Sequence, residues 1–350
     1  MPGQIEAERK YALAPGQTLP SLATVALPGE VSQFTMEATY YDAPDLRLLR
    51  AHEVIRRRVG GPDEGWHLKL PGAGPDQRIE VHAPLSPRRL PAELRERVAA
   101  TLDDAPVAPV AVLRTRRTEQ QLCGPDGSVL AVTCTDHVQA SVGKHVEEWD
   151  EAEVELVAGG IDLLARVEVV LRAAGIERAE AASKIGRALA PAVAAAERPD
   201  PSAGGAVLAY LAEQIGVLQN REAAVRTDEP DAVHRSRVAT RRLRSALRTY
   251  AGVFAPGAHR ALRSELRWHA EELGAPRDAE VLRERLLAAV AELAPPGREQ
   301  VADRVAASLA QAHGRAHAEL VETMATERYE RLQLGLESLL SEPRRADAAA

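Results

Sequence analysis

Between residue 4 and about residue 157, apolar and polar positions alternate with a period of two in short stretches separated by turn signals. The stretches are "QIEAERKYAL", "FTMEATYYDA", "EVIRRRVG", "GWHLKLPG", "QRIEVHAPL", "VAVLRTRRTEQQLC", "VLAVTCTDHVQA" and "WDEAEVELVAG". Eight such pieces predict an antiparallel sheet or barrel. Helical segments are expected to interrupt it near residues 18–25, 45–52, 87–103 and 161–174, and a further short helix carries "EAASKIGRALA".

"PAVAAAERPDPSAGG" then reads as a linker rich in Ala, Pro and Gly, and beyond it the period becomes helical. "AVLAYLAEQIGVLQNREAAVR" and "DAVHRSRVATRRLRSALRTYAGVF" carry apolar residues at helical spacing. A third stretch is broken near Pro276, and a fourth runs from about Gly297 to Leu340. Prolines 230, 256, 276, 295 and 296 punctuate the series. Four to five helices with short connections suit an antiparallel bundle. The expected fold class is therefore α+β: an eight-stranded antiparallel sheet or barrel with flanking helices, then a separate all-α bundle. The expected bounds are 1–195, a linker at 196–204, a helical domain at 205–342 and a tail at 343–350.

At 350 residues the chain suits two domains. It has no apolar run of membrane-spanning length and no basic-then-apolar leader pattern, so no membrane partner and a cytoplasmic location are the expectation. Two cysteines make no disulfide framework. A hairpin turning at Asp126-Gly127 would set Cys134 opposite Glu119 and Cys123 opposite Leu130, which argues against a bridge. The net charge of -7 weighs against nonspecific nucleic-acid binding by the whole molecule. The excess of acid lies before residue 204, because residues 204–350 balance 21 arginines with 21 acids and contain no lysine. The four lysines, Lys10, Lys69, Lys144 and Lys184, stand against 40 arginines, so a retained lysine hints at a need for a compact point charge.

Alternation sorts the charges by face, since residues i, i+2 and i+4 of a strand share one. Glu6, Glu8 and Lys10 fall together, as do Arg56 with Arg58, His67 with Lys69, Arg78 with Glu80, Arg114 with Arg116, and Glu151 with Glu153 and Glu155. Two arrangements satisfy this pattern. The charged faces lie in solvent, or the strands close into a barrel whose charged lumen needs both signs or a guest, because unpaired buried charge costs several kcal/mol per ion. Arginines and lysines suit phosphate oxygens, and clustered carboxylates suit a hard cation such as Mg²⁺ or Mn²⁺. Both sets together describe a site for a phosphate chain bound with metal.

At these residues the chain resembles the CYTH superfamily, the triphosphate tunnel metalloenzymes. "IEAERK" is similar to its ExExK signature, and the order continues through "TYYDAPDLRLLRAHEVIRRR", "WHLKLP", "RIE", "RTR", "EVEL" and "SKIGRAL" over about residues 4–190. The resemblance implies an eight-stranded tunnel that hydrolyses triphosphates with Mg or Mn. By position it implies Glu6, Glu8, Glu153 and Glu155 as metal ligands, with Asp136 as a further metal-associated acid. It implies Lys10, Arg56, Arg58, Lys69, Arg78, Arg114, Arg116 and Lys184 as phosphate contacts, and Glu6, Glu8 and Lys10 as catalytic. "RTRR" leaves the register open between Arg116 and Arg117. Inorganic triphosphate and an organic triphosphate such as thiamine triphosphate are the leading substrates, and adenylate cyclases belong to the same family.

In the helical half, stepping by three and four from His234 places Arg237, Arg241, Arg244 and Arg248 along one face. Such a stripe is either a solvated face paired with neighbouring acids or an anion-binding face, and the scarcity of aromatics disfavours nucleic acid. "VHRSRVATRRLRSAL" and "ELGAPRDAEVLRERL" resemble the CHAD domain, a conserved-histidine α-helical domain often fused to CYTH. That likeness implies binding of inorganic polyphosphate through His234, Arg237, Arg241, Arg242, Arg244 and Arg277. It covers only the first of two similar halves, which makes a homodimer an expectation. His313 and His317, four apart, share a helix face, a weak zinc signal by themselves. A triphosphatase with a polyphosphate-binding appendage is the leading reading; a noncatalytic polyphosphate receptor is the alternative.

Overall fold

A computed structural model of the chain describes residues 3–74, 76–86, 88–196, 202–292, 298–344 and 346. Residues 197–201 of the expected linker, and residues 345 and 347–350 of the expected tail, lie outside that set. The chain divides into two compact units, Met1–Asp103 with Val107–Arg198, and Asp104–Pro106 with Pro199–Ala350.

In the first unit, eight strands form a closed antiparallel ring: β1 (Gln4–Leu13), β2 (Leu27–Asp42), β3 (Val54–Val59), β4 (Gly65–Pro71), β5 (Gln77–Ala83), β6 (Ala108–Cys123), β7 (Val129–Val142) and β8 (His145–Leu156). Their order around the ring is β1-β5-β4-β3-β2-β6-β7-β8, closed by pairing of β8 with β1. Closure removes free sheet edges and gives every strand an inner and an outer face. The β6–β7 hairpin turns at Asp126-Gly127, where Gly127 has φ 81° and the Asp126 carboxylate accepts from the Ser128 amide. Cys134 pairs with Glu119 as its register requires, a local shift sets Cys123 opposite Val129, and both thiols are free.

Apolar residues pack on both faces of the barrel wall. On its outer surface Tyr11, Leu13, Ala131, Ala152 and Val154 pack under Leu163, Leu164, Val167 and Leu171 of α4 (Ile161–Ala173). Inside one end, Ala38, Leu113, Val138 and Ala140 surround Ile185, Ala188 and Leu189 of α5 (Lys184–Ala196), so the N-terminus of α5 closes on the lumen. The "YYD" segment has a structural job. Buried Asp42 accepts from the amides of Ala43, Leu48 and Leu49, which ties α1 (Arg47–Arg50) to the end of β2.

Some expected helices take other forms. Residues 18–25 make a turn rather than a helix, with Pro20 in the stretch and Leu19, Leu22 and Val25 packed on the α4 side of the barrel. Of the helix expected over 87–103, two short pieces form, α2 (Ala92–Arg97) and α3 (Ala99–Leu102), with Leu94, Leu102 and the intervening Val98 buried. β2 begins at Leu27, seven residues before the apolar alternation does, because backbone pairing with β6 extends through exposed polar positions.

The second unit has six long helices among its described residues: α6 (Ala203–Arg226), α7 (Ala232–Thr249), α8 (Arg260–Glu272), α9 (Gly274–Ala291), α10 (Arg298–Met324) and α11 (Glu327–Ser341). The break expected near Pro276 falls at Leu273, leaving the proline in the first turn of α9, where its missing N–H is tolerated. The long run from Gly297 also divides, because Thr326 caps α11 by accepting from the Tyr329 amide. The core joins Leu211 and Ile215 of α6, Leu243 and Leu247 of α7, Leu266 of α8, and Leu332 and Leu336 of α11. Among the described residues no helix is long and apolar enough to cross a membrane.

Candidate functional site

The barrel lumen encloses a cavity of ≈ 230 Å³ whose lining contains seven acidic and seven basic side chains. Both signs are present in balance, as a charged interior requires. The strand pairing sets opposite charges side by side around the wall: Lys10 across from Glu153, Glu6 from Arg78, Lys69 from Glu80, and Arg117 from Asp136. The lumen is therefore a lattice of alternating sign rather than a positive tube.

Lys184, presented by the first turn of α5, lies 2.6 Å from Glu153, 2.7 Å from Glu151 and 2.9 Å from Asp136. Burial opposes its charge, but these three carboxylates hold its pKa well above the ordinary ammonium value. Arg117 forks Asp136 with bonds of 2.8 and 2.6 Å and reaches Glu153 at 2.6 Å. Glu153 also accepts from Lys10. Against the penalty of burial, Lys10, Lys184 and Arg117 depress the Glu153 pKa well below the carboxylate range.

The opposite wall is poised differently. Burial, together with a hydrogen bond to Glu80, pushes the Glu6 carboxyl up to about 8, even though Lys69 lies 2.5 Å away. Burial also raises Glu155. Glu8, directly across from Glu155 on β8, is lowered because Lys10 and Lys69 outweigh its desolvation. Glu80 is held down, despite burial, by hydrogen bonds from His67 and Glu6. Arg56 stands 3.5 Å from Glu80, and Arg58 pairs with Asp63 of the β3–β4 loop.

The lumen thus brings together Glu6, Glu8, Lys10, Arg56, Arg58, Lys69, Arg78, Glu153, Glu155 and Lys184, with fully buried Asp136 behind Arg117. Arg114 and Arg116 are exposed on the other face of β6, where Arg114 pairs with Glu37. The register of β6 turns Thr115, Arg117 and Glu119 inward, so Arg114 and Arg116, expected from the sequence at the lumen, lie outside it, and Arg117 is the arginine of "RTRR" that faces it. Asp63, Glu119 and Tyr40 also line the cavity, positions that strand alternation and the motifs do not mark as part of the site. His67 and Glu80 had been placed on charged faces, and the structure gives them a shared hydrogen bond of 2.9 Å.

The residues fit a hard divalent cation. Glu155 is a half-buried carboxylate that forms no ion pair among the described residues, and the register sets it directly across from Glu8, so two carboxylates face each other between β1 and β8 with oxygen donors to offer a cation. By contrast, the compact trio Asp136, Glu151 and Glu153 already surrounds Lys184.

In the helical unit, His234, Arg237, Arg241 and Arg244 of α7 and Arg277 of α9 line one cavity of ≈ 780 Å³. Arg237 donates to the Ala270 carbonyl, and Arg277 pairs with Glu280 at 2.7 Å. Arg242 is not on this cavity. One residue past Arg241 it is turned by about 100°, and it approaches Gln214 of α6 at 3.4 Å instead. Arg242 thus lies apart from the other residues that the CHAD resemblance implied as polyphosphate contacts.

A sign-alternating antiparallel ring followed by a bundle with a basic groove defines a two-part architecture. The CYTH domain model matches residues 4–189 and the CHAD domain model residues 209–350. The chain belongs to the CYTH family and carries a CHAD domain after it. It is 37% identical over 362 residues to "Uncharacterized protein Rv2226" of Mycobacterium tuberculosis, covering 97% of this chain and 70% of that protein. A shorter likeness, 44% over 71 residues, joins it to human thiamine-triphosphatase and spans 20% of this chain and 29% of that enzyme. Among solved structures, PptA from Streptomyces chartreusis is 22% identical with a TM-score of 0.36, covering 43% of this chain and 53% of that chain.

Proposed function

We propose that the barrel is a metal-dependent triphosphatase, with inorganic triphosphate its principal substrate, and that the helical unit binds inorganic polyphosphate. The observation that carries the reading is the lumen, where a balanced lattice of buried cations lies beside acids that retain capacity for a cation. CYTH membership and the partial likeness to a thiamine-triphosphatase support triphosphatase-type chemistry in general.

Glu6, Glu8 and Glu155, with Glu153 exchanging one of its lysine partners, would hold Mg²⁺ or Mn²⁺, which would supply polarisation of a phosphoryl oxygen and of water. Arg56, Arg58, Lys69, Arg78 and Arg117 offer N–H donors to phosphate oxygens and offset charge on the transferring group. Lys10 and Lys184 counter the acids of β8, so the wall presents fixed charges and needs little rearrangement during reaction. Glu6 would hold the cation as a carboxylate, so its raised pKa would couple cation binding to release of a proton. No serine, cysteine or histidine nucleophile is invoked, since in-line attack by water on a terminal phosphorus depends on positioning and charge.

A substrate panel tests this reading. Phosphate release should be fastest from inorganic triphosphate, slower from thiamine triphosphate and ATP, and abolished by a chelator. Cyclic nucleotide from ATP, or binding of triphosphate without turnover, would overturn it.

A further inference from the structure

Away from the lumen and the basic groove, Asp228, Glu280 and His313 place one ligand atom each within 4.8 Å of one another. They come from three separate places in the helical unit: the turn after α6, the middle of α9, and α10. His313 Nε2 lies 2.9 and 3.0 Å from the two oxygens of Asp228. His317, one helical turn on, stacks beside His313 with ring centroids 6.2 Å apart, and its Nε2 is 3.9 Å from Asp228. Asp228 itself is held at φ 57°, a left-handed conformation uncommon outside glycine that aspartate tolerates better than most residues.

We infer that Asp228, Glu280, His313 and His317 form a zinc site that clips the α9–α10 hairpin to the end of α6. Zinc bonds of about 2.0–2.2 Å to nitrogen and oxygen in a tetrahedron put neighbouring ligand atoms roughly 3.4 Å apart. The observed separations of 2.9 to 3.9 Å around Asp228 bracket that value, so side-chain adjustments of about half an ångström or so suffice there. Two imidazoles with two carboxylates make a borderline set that suits zinc better than Mg²⁺, which distinguishes it from the all-carboxylate lumen.

Three existing interactions must be exchanged, the first being the hydrogen bonds of 2.9 and 3.0 Å that His313 Nε2–H donates to Asp228, which ligation replaces once that imidazole carries its proton on Nδ1. His317 Nε2–H now donates to the Val225 carbonyl at 2.7 Å, so ligation requires this imidazole to carry its proton on Nδ1 and turn to the metal. Glu280 now accepts from Arg277 at 2.7 Å and would shift toward zinc. The benefit is local: few α9 and α10 side chains are buried, with Pro276, Val290 and Leu309 among them, so the hairpin has little apolar anchoring of its own.

The test uses the full chain in excess Mg²⁺, dialysed against zinc. Bound zinc and melting temperature are compared among the native chain, the double variant His313→Gln/His317→Gln, and Glu280→Gln. The native chain should hold one zinc more than the double variant, and zinc should raise its melting temperature by several degrees, with the double variant losing that rise and Glu280→Gln most of it. If the double variant has lost native helicity, Glu280→Gln decides, since the carboxamide keeps the shape of this half-buried side chain. Equal zinc content and equal shifts in native and folded variant chains would overturn the inference.

Discussion

Arg116 and Arg117 are adjacent in sequence and occupy opposite faces of the barrel wall, which makes them matched probes of the lumen. Arg117 is the partner of fully buried Asp136 and of Glu153, whereas Arg116 is exposed. Removing one member of a buried pair strands the other charge, at a cost of about 3–5 kcal/mol. Arg117→Ala should therefore destabilise the barrel by roughly that amount in chemical unfolding, and Arg116→Ala by about 0.5 kcal/mol or less. Equal effects would put the β6 register in error. The period-two pattern exposed Glu6, Glu8, Lys10, Arg56, Arg58 and Lys69 because each strand's own alternation separates the faces. "RTRR" offered arginine on both faces, so only the pairing of β6 with β2 and β7 decides which guanidinium turns inward.

The β3–β4 loop and helix α8 carry two predictions at the scale of elements. Asp63, in a loop with positive-φ Gly60 and Gly61, pairs with Arg58 at the lumen and stands where a phosphate would compete for the guanidinium. Asp63→Asn should lower KM for triphosphate several-fold with kcat little changed; an unchanged or higher KM would deny that competition. In α8, burial pushes His269 down to about 4. Because its folded pKa lies below the unfolded value near 6.5, the contribution to stability is present above pH 6.5 and is lost as pH falls toward 4. Urea unfolding at pH 7.5 and 4.5 should show the native chain losing roughly 2–3 kcal/mol more than His269→Leu. A parallel loss in both would acquit His269. Strand existence and helix faces were legible from local periodicity, while the Thr326 cap and the turn at 18–25 depended on packing and single hydrogen bonds. The His313–His317 pair was visible as a spacing, but its carboxylates lie far away in sequence and only the fold brings them near.

For the whole molecule, charge is divided by task. The barrel unit holds all four lysines and interleaves both signs in its lumen, while the helical unit uses arginine alone and collects His234, Arg237, Arg241, Arg244 and Arg277 at one groove. Changing Arg237, Arg241 and Arg244 together to alanine should weaken binding of long-chain polyphosphate and flatten its salt dependence, with triphosphate hydrolysis unaffected; Arg242→Ala alone should change neither. Undiminished polyphosphate binding by the triple variant would remove the groove from the account. The two-part organisation was readable from the switch of hydrophobic period near residue 200. Closure of the eight strands into a ring was not readable from alternation alone, which fits an open sheet equally well; it was expected from the likeness of the motifs to the CYTH family, and the ring is closed. The central claim is that the lumen hydrolyses triphosphate with a bound divalent cation. It is tested most directly by phosphate release from inorganic triphosphate, with and without Mg²⁺, by the native chain and by Glu6→Gln. Metal-dependent release that falls at least about 100-fold in the variant is predicted; release at the native rate from Glu6→Gln, or none from the native chain, would contradict it.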